Sequence, residues 1–131
     1  MVKVVVGALV RAGRVLLAHR RPDKRAYPDV WDLPGGGREH GESELEALLR
    51  ELREELGVEV EVATASRLCR VTGGPPDEPA TLSAWLVREW DGTPTNVAPE
   101  EHDDLRWFGI DELPPPAHAG VRAALLDALR G

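Results

Sequence analysis

With 131 residues, 42% of them hydrophobic and 30% charged, the chain has the make-up of one globular domain over 1–131, without low-complexity stretches or internal repeats. A net charge of −7 argues against a nucleic-acid polymer as partner, because gripping a phosphate backbone takes a basic footprint. The longest apolar run, Val4 to Val10, falls far short of the roughly 20 residues that span a bilayer. The single cysteine, Cys69, excludes an internal disulfide and reads as a small core residue, so a cytoplasmic protein with no membrane attachment is expected.

In chain order, Val2 to Val10 and Val15 to His19 are β-rich runs joined by Arg11-Ala12-Gly13-Arg14, which predicts a hairpin. Arg20 to Asp32 has no period and leads as an irregular connection into a glycine loop, Leu33-Pro34-Gly35-Gly36-Gly37. Next comes an amphipathic helix, on which Leu45, Leu48, Leu49, Leu52 and Leu56 recur at helical spacing. Ser43 with Glu46 forms a capping box at its start, and Gly57 stops it. Strands are predicted at Val58 to Val62, Arg67 to Thr72, Thr81 to Glu89 and Leu105 to Phe108, with loops at Gly73 to Pro79 and Asp91 to Glu101. A last helix, from about His118 to Leu129, carries Val121, Leu125, Leu126 and Leu129 on one face. One helix mid-chain and one at the end predict a mixed sheet between helices rather than a doubly wound repeat.

The chemistry is concentrated on the first helix. Glu51, Glu54 and Glu55 stand at i, i+3 and i+4, so three carboxylates share one stripe beside the buried face. Like charges so placed repel unless a cation sits among them, and hard oxygen ligands in that number suit Mg²⁺ or, as a substitute, Mn²⁺. An ordinary solvated acidic helix would explain the charges, but not the three glycines ahead of it, which permit close backbone approach to an ion or a phosphate. Arg20, Arg21, Lys24 and Arg38 lie near that loop in sequence and are candidate phosphate contacts. Trp31 and Tyr27 flank it and are candidates for stacking, whereas Trp85 and Trp107 read as packing residues. His19, His40 and His102 lack metal-ligand spacing and read as structural or surface residues.

Gly36, Glu42, Arg50, Glu51, Leu52, Glu54, Glu55, Gly57 and Val58 together resemble the Nudix box, G-x5-E-x7-R-E-U-x-E-E-x-G-U, at every specified position. The resemblance to Nudix hydrolases, in particular MutT-like ones, implies an α/β fold: an α/β/α sandwich with a mixed sheet. It implies hydrolysis of a nucleoside diphosphate linked to another group X, with water attacking phosphorus and Mg²⁺ as cofactor; the substrate is a small nucleotide. By the same resemblance, Glu51, Glu54 and Glu55 hold or serve the metal, Arg50 orients them, the carbonyl of Gly35 adds a ligand, and Glu42 supports the loop or a further metal. A glutamate six residues before a tryptophan that starts a late strand completes the site in MutT-like members. Trp107 points to Glu101 for that role, with Glu100 as the alternative, and Glu51 and Glu101 both stand as candidates for the base. His118, in Pro114-Pro115-Pro116-Ala117-His118, replaces the asparagine that reads oxidised guanine in the MutT-like Pro-Pro-Ala-Asn stretch, which predicts weak preference for that base. The competing reading is a Nudix-fold module that senses nucleotides or binds proteins without catalysis. It gives no physical reason to keep so many like charges together.

Overall fold

The computed structural model describes residues 1–25, 27–115 and 119–130. β1 (Val2–Arg11) and β2 (Arg14–Arg20) form the expected hairpin, turning through Ala12 and Gly13 at positive φ. They pair only at Val10↔Val15 and Arg11↔Arg14. Beyond that the strands part, and each builds its own leaf. β1 takes β4 (Gly35–Gly37) antiparallel on one side and β7 (Ala80–Val87) parallel on the other, and β6 (Ser66–Gly73) covers the far edge of β7. β2 pairs with β3 (Trp31–Asp32) and, along its whole length, with β9 (His102–Gly109). A small separate ladder joins β5 (Glu59–Val60) to β8 (Trp90–Asp91). The parallel β1/β7 pair makes the sheet mixed, as parallel neighbours need a crossover and the chain between them carries α1 (Glu44–Leu56).

Strand alternation divides the interior into two cores. Val5 and Leu9 of β1 pack with Leu48, Leu52 and Leu56 of α1. Val6, Ala8 and Val10 face the other way and pack with Val121 and Leu125 of α2 (Ala119–Arg130). The result is the expected sandwich with a helix on each face. Three α1 leucines, Leu48, Leu52 and Leu56, are fully buried, each worth about 1.5–3 kcal/mol of removed apolar surface. The helix rests directly on β1 at Gly7, where an added Cβ would come within 2.9 Å of Leu52 Cδ1. Ser43 and Glu46 make the reciprocal capping box, at 2.9 and 3.1 Å, and Gly57 ends the helix at φ 70°. Both ends of α1, and hence the phase of its carboxylates, are therefore fixed locally.

Four expectations need correction. The glycine segment is a strand rather than a loop: Gly35, Gly36 and Gly37 pair with Val6, Val5 and Val4, since residues without side chains can still complete a ladder. Trp31–Asp32 is also a short strand, inside the segment expected to be irregular. The strand expected over Val58 to Val62 shrinks to Glu59–Val60, and Val62–Thr64 turns as a 3₁₀ segment. The late strand begins at His102, so Trp107 lies within it rather than at its start. No helix among the described residues is long and apolar enough to cross a membrane. The beginning expected for the last helix, with His118, lies outside the described residues.

Candidate active site

Arg50 organises the acidic face of α1. Its Nε and Nη2 donate to Glu42 Oε2 and Oε1 at 2.7 and 2.9 Å, and Nη2 also donates to the carbonyl of Gly37 at 2.9 Å. Its Nη1 reaches Glu51 Oε1 at 2.9 Å and Glu54 Oε2 at 3.3 Å. One planar fork thus ties the helix to the segment before it and to two of its own carboxylates. Glu42 also accepts from the Glu39 amide at 2.8 Å. Chiefly through its bonds to Arg50, the Glu42 carboxyl is held down to about 2.

The three helix glutamates occupy three environments. Glu54 is largely exposed, and Glu51 is mostly covered. Burial raises the Glu51 carboxyl, with the Arg50 hydrogen bond opposing. Glu55 is 5% exposed, and its Oε2 is buried with no hydrogen-bond partner among the described residues. Burial first, and then the charge of Glu51, pushes its carboxyl up to about 8.

Across from Glu55 lies His102, 4% exposed, with Nε2 3.6 Å from Glu55 Oε1. Burial lowers its basicity, so the imidazole packs as a neutral group against the acid. Sequence spacing gave no sign of this neighbour. The contact arises because β9 starts at His102, bringing it back across the sheet to α1.

Glu101 stands immediately before β9, its carboxylate 2.8 Å from Lys24 Nζ. That ammonium holds it below the usual carboxylate range, with burial opposing. The charges of Glu51 and Glu101 each disfavour ionisation of Glu55. The Gly35 amide lies close enough to Glu55 to favour its charged form.

The glycines show why the approach is close. A Cβ at Gly36 would lie 2.7 Å from the carboxyl atoms of Glu51, and one at Gly35, where φ is 151°, would lie 2.1 Å from the carbonyl oxygen of Val5. A cleft of about 340 Å³ opens beside β4. Its floor includes Val4, Val6 and Leu82. Gly35, Gly36 and Glu101 line it on the carboxylate side, Arg20, Tyr27 and Asp32 contribute polar groups, and the 73–78 turn lines it with Gly74 and Glu78.

Among the candidate phosphate contacts, Arg20 lines this cleft. Arg21 pairs with Asp23 at 3.1 Å and reaches the carbonyl of Pro99 at 3.4 Å. Arg38 donates to the Glu42 carbonyl and faces a different cavity, of about 280 Å³, with Lys3, Glu44 and Arg70. The structure therefore brings together Gly35, Glu51, Glu55, Glu101 and Arg20, and turns Arg21 and Arg38 to contacts within the loops. His118 lies outside the described residues. Trp31 packs edge-on against Phe108, while Tyr27 is exposed at the cleft. Trp85, expected to be a packing residue, also donates Nε1–H to Glu44 at 2.9 Å, and Trp107 stacks on Trp90.

Among the described residues, no three carboxylate, imidazole or thiolate groups already stand in the arrangement of a cation cage. Arg50 pairs with Glu51 and Glu54, and Lys24 pairs with Glu101. The donor set nevertheless fits a hard divalent ion: oxygen ligands only, one of them a buried and unpartnered carboxylate oxygen beside a backbone without side chains.

The family model of the NUDIX domain matches residues 1–129. The CTP pyrophosphohydrolase of Escherichia coli (strain K12) is 38% identical over 130 residues, which cover 98% of this chain and 90% of that protein. An 8-oxo-dGTP diphosphatase of Proteus vulgaris is 44% identical over 71 residues, 54% of this chain and 62% of that one. The crystal structure of a MutT NUDIX hydrolase from Burkholderia pseudomallei superposes with a TM-score of 0.83 at 34% identity, covering 95% of each chain. The chain belongs to the Nudix family, as a MutT-like Nudix hydrolase.

Proposed function

We propose that residues 1–131 act as a single Mg²⁺-dependent nucleotide pyrophosphohydrolase, cleaving a nucleoside triphosphate or related nucleoside diphosphate derivative by attack of water on phosphorus. Mn²⁺ would serve as a substitute, and the setting would be the cytoplasm. The observation that carries this reading is the buried, unpartnered Oε2 of Glu55, set beside Glu51, Glu101 and the bare backbone of Gly35 and Gly36 at the side of the cleft.

In this reading Glu51, Glu54, Glu55, Glu101 and the carbonyl of Gly35 would hold the divalent ion. When bound, the ion supplies charge neutralisation on the phosphoryl oxygens and lowers the pKa of water. Everything else is the work of the chain. Arg50 fixes the orientation of Glu51 and Glu54 through its fork and anchors both to Glu42. Arg20 offers a cation to the phosphates from the cleft wall.

We assign the proton to Glu51. Its carboxyl is raised by burial and lies against the bare backbone of Gly36. The apolar floor of Val4, Val6 and Leu82 suits the flat face of a nucleobase, and Asp32 and Glu78 offer acceptors to an exocyclic amino group. With the CTP pyrophosphohydrolase as a relative, cytidine nucleotides are the first substrates to try. A hydrolysis screen over CTP, dNTPs, oxidised dNTPs, ADP-ribose, nucleotide sugars and dinucleoside polyphosphates, with products identified by mass, tests the proposal. Cation-dependent cleavage at a diphosphate is expected, and inactivity of the folded protein on the whole panel would refute it.

A further inference from the structure

Two of the cations that pair with the carboxylate cluster, Arg50 and Lys24, differ in character. Arg50 is locked: its guanidinium holds Glu42 through two bonds and also reaches Glu51, Glu54 and the Gly37 carbonyl. Among the described residues, Lys24 makes one side-chain bond, to Glu101 Oε2 at 2.8 Å, and is 24% exposed. An ammonium on a flexible stem is a point charge that can change partners with little loss, whereas a multidentate guanidinium cannot.

The backbone around the pair is held in place independently. The Lys24 amide donates to the Arg21 carbonyl at 3.1 Å, Arg21 Nη1 to the Pro99 carbonyl at 3.4 Å, and His19 Nδ1 lies 2.6 Å from Asp103 Oδ1. The segment after β2 is therefore fastened to the start of β9 whether or not Lys24 holds Glu101. Arg20 at the end of β2 and Tyr27 line the cleft, and so does Glu101, so the ammonium that holds Glu101 lies one side chain behind the cleft's lining.

We propose that Lys24 is an exchangeable counter-cation: it occupies Glu101 while the site is free of metal, and when Glu101 turns to a divalent ion its ammonium passes to an anionic oxygen of the substrate's phosphate chain. This rests on the reading of Glu101 as a cation ligand. Two consequences follow that a plain structural ion pair does not share. Lys24 competes with the ion for Glu101, so its removal tightens ion binding in the absence of nucleotide. It then contributes to substrate binding, so its removal also weakens the enzyme's hold on nucleotide.

The test is a Mn²⁺ titration of the full chain without nucleotide, followed by electron paramagnetic resonance, on the parent, Lys24→Met and Glu101→Gln, with Lys24→Gln as a second variant should the first fold poorly. Lys24→Met should bind Mn²⁺ roughly fivefold more tightly, the scale of a half-exposed ion pair, and Glu101→Gln more weakly. The KM of Lys24→Met for its nucleotide should rise roughly tenfold with kcat changed far less. Unchanged or weaker Mn²⁺ binding in both Lys24 variants, with Glu101→Gln still weakened, would overturn the exchange while leaving the site reading intact. Unchanged Mn²⁺ binding in Glu101→Gln would remove Glu101 from the ligand set and overturn both.

Discussion

Two adjacent glycines should respond in opposite ways to the same added methyl group. At Gly36 a Cβ would meet only the end of the Glu51 side chain, 2.7 Å from its carboxyl carbon and both oxygens, and Gly36 is not among the residues at positive φ. The far end of a flexible side chain can yield, so Gly36→Ala should fold and shift Tm by less than about 3 °C. To reach ordinary contact the Glu51 carboxylate must retreat by about 1 Å, which also strains its 2.9 Å bond from Arg50. Misplacement on that scale costs about 100-fold in rate, or about 2.7 kcal/mol of transition-state stabilisation. At Gly35 the added Cβ meets backbone, 2.1 Å from the Val5 carbonyl oxygen and 2.6 Å from Val6 Cα, at φ 151°. The β1/β4 pairing cannot yield without opening, so Gly35→Ala should lose about 3 kcal/mol or more and roughly 10 °C in Tm. Thermal melts together with kcat/KM on the same preparations separate the two effects. Full activity in Gly36→Ala, or unfolding of Gly36→Ala to the extent of Gly35→Ala, would refute the placement of Glu51 against β4.

Glu101→Ala should lower kcat/KM by about tenfold to a hundredfold while the helix carboxylates still bind Mn²⁺, and Glu100→Ala should be near parental; the reverse order in paired kinetics would show that the neighbour is the active residue. The Glu55 carboxyl, pushed up to about 8, has a folded pKa above its ordinary value, so below pH 8 a proton competes with the cation. Mn²⁺ affinity should therefore climb from pH 6 to pH 8 and level off above it, whereas Glu55→Gln should show a flatter profile in the same titration. By the same sign, the metal-free protein should lose stability as pH rises from about 4.5 to 8, because the unfolded chain gives up that proton first, and melts in chelator should show it. With His118 where the MutT-like stretch has asparagine, 8-oxo-dGTP should not be strongly preferred over dGTP; a kcat/KM ratio of a hundredfold or more, about 2.7 kcal/mol, would contradict this.

What the sequence made legible was local. The capping box at Ser43 and Glu46, the stop at Gly57 and the leucine period determine where α1 lies and which way Glu51, Glu54 and Glu55 point, and all of these are set within a few turns of chain. The hairpin turn at Ala12 and Gly13 is local in the same sense. What escaped depends on register between distant strands. Gly35–Gly37 carry no side-chain pattern, so nothing in them announces a strand until β1 lies alongside. His102 reaches Glu55, and Lys24 reaches Glu101, across 47 and 77 positions of sequence, and no spacing rule spans such gaps. The raised acidity range of Glu55 was hidden for a related reason: a helical wheel places it beside the buried stripe, but only the packed sheet removes its water.

If the glutamates of α1 make this chain a cation-dependent nucleotide pyrophosphohydrolase, neutralising either Glu54 or Glu55 must abolish turnover without unfolding the protein. Purified parent, Glu54→Gln and Glu55→Gln proteins, shown by circular dichroism to be folded, are incubated with CTP and the nucleotide panel in ¹⁸O-water, with Mg²⁺ or with chelator, and the products are weighed. The parent should cleave only with the cation, with one ¹⁸O entering a phosphorus-containing product, and turnover should fall by about a thousandfold or more in each variant. Near-parental turnover in Glu54→Gln and Glu55→Gln at saturating Mg²⁺, or undiminished cleavage by the parent in chelator, would contradict it.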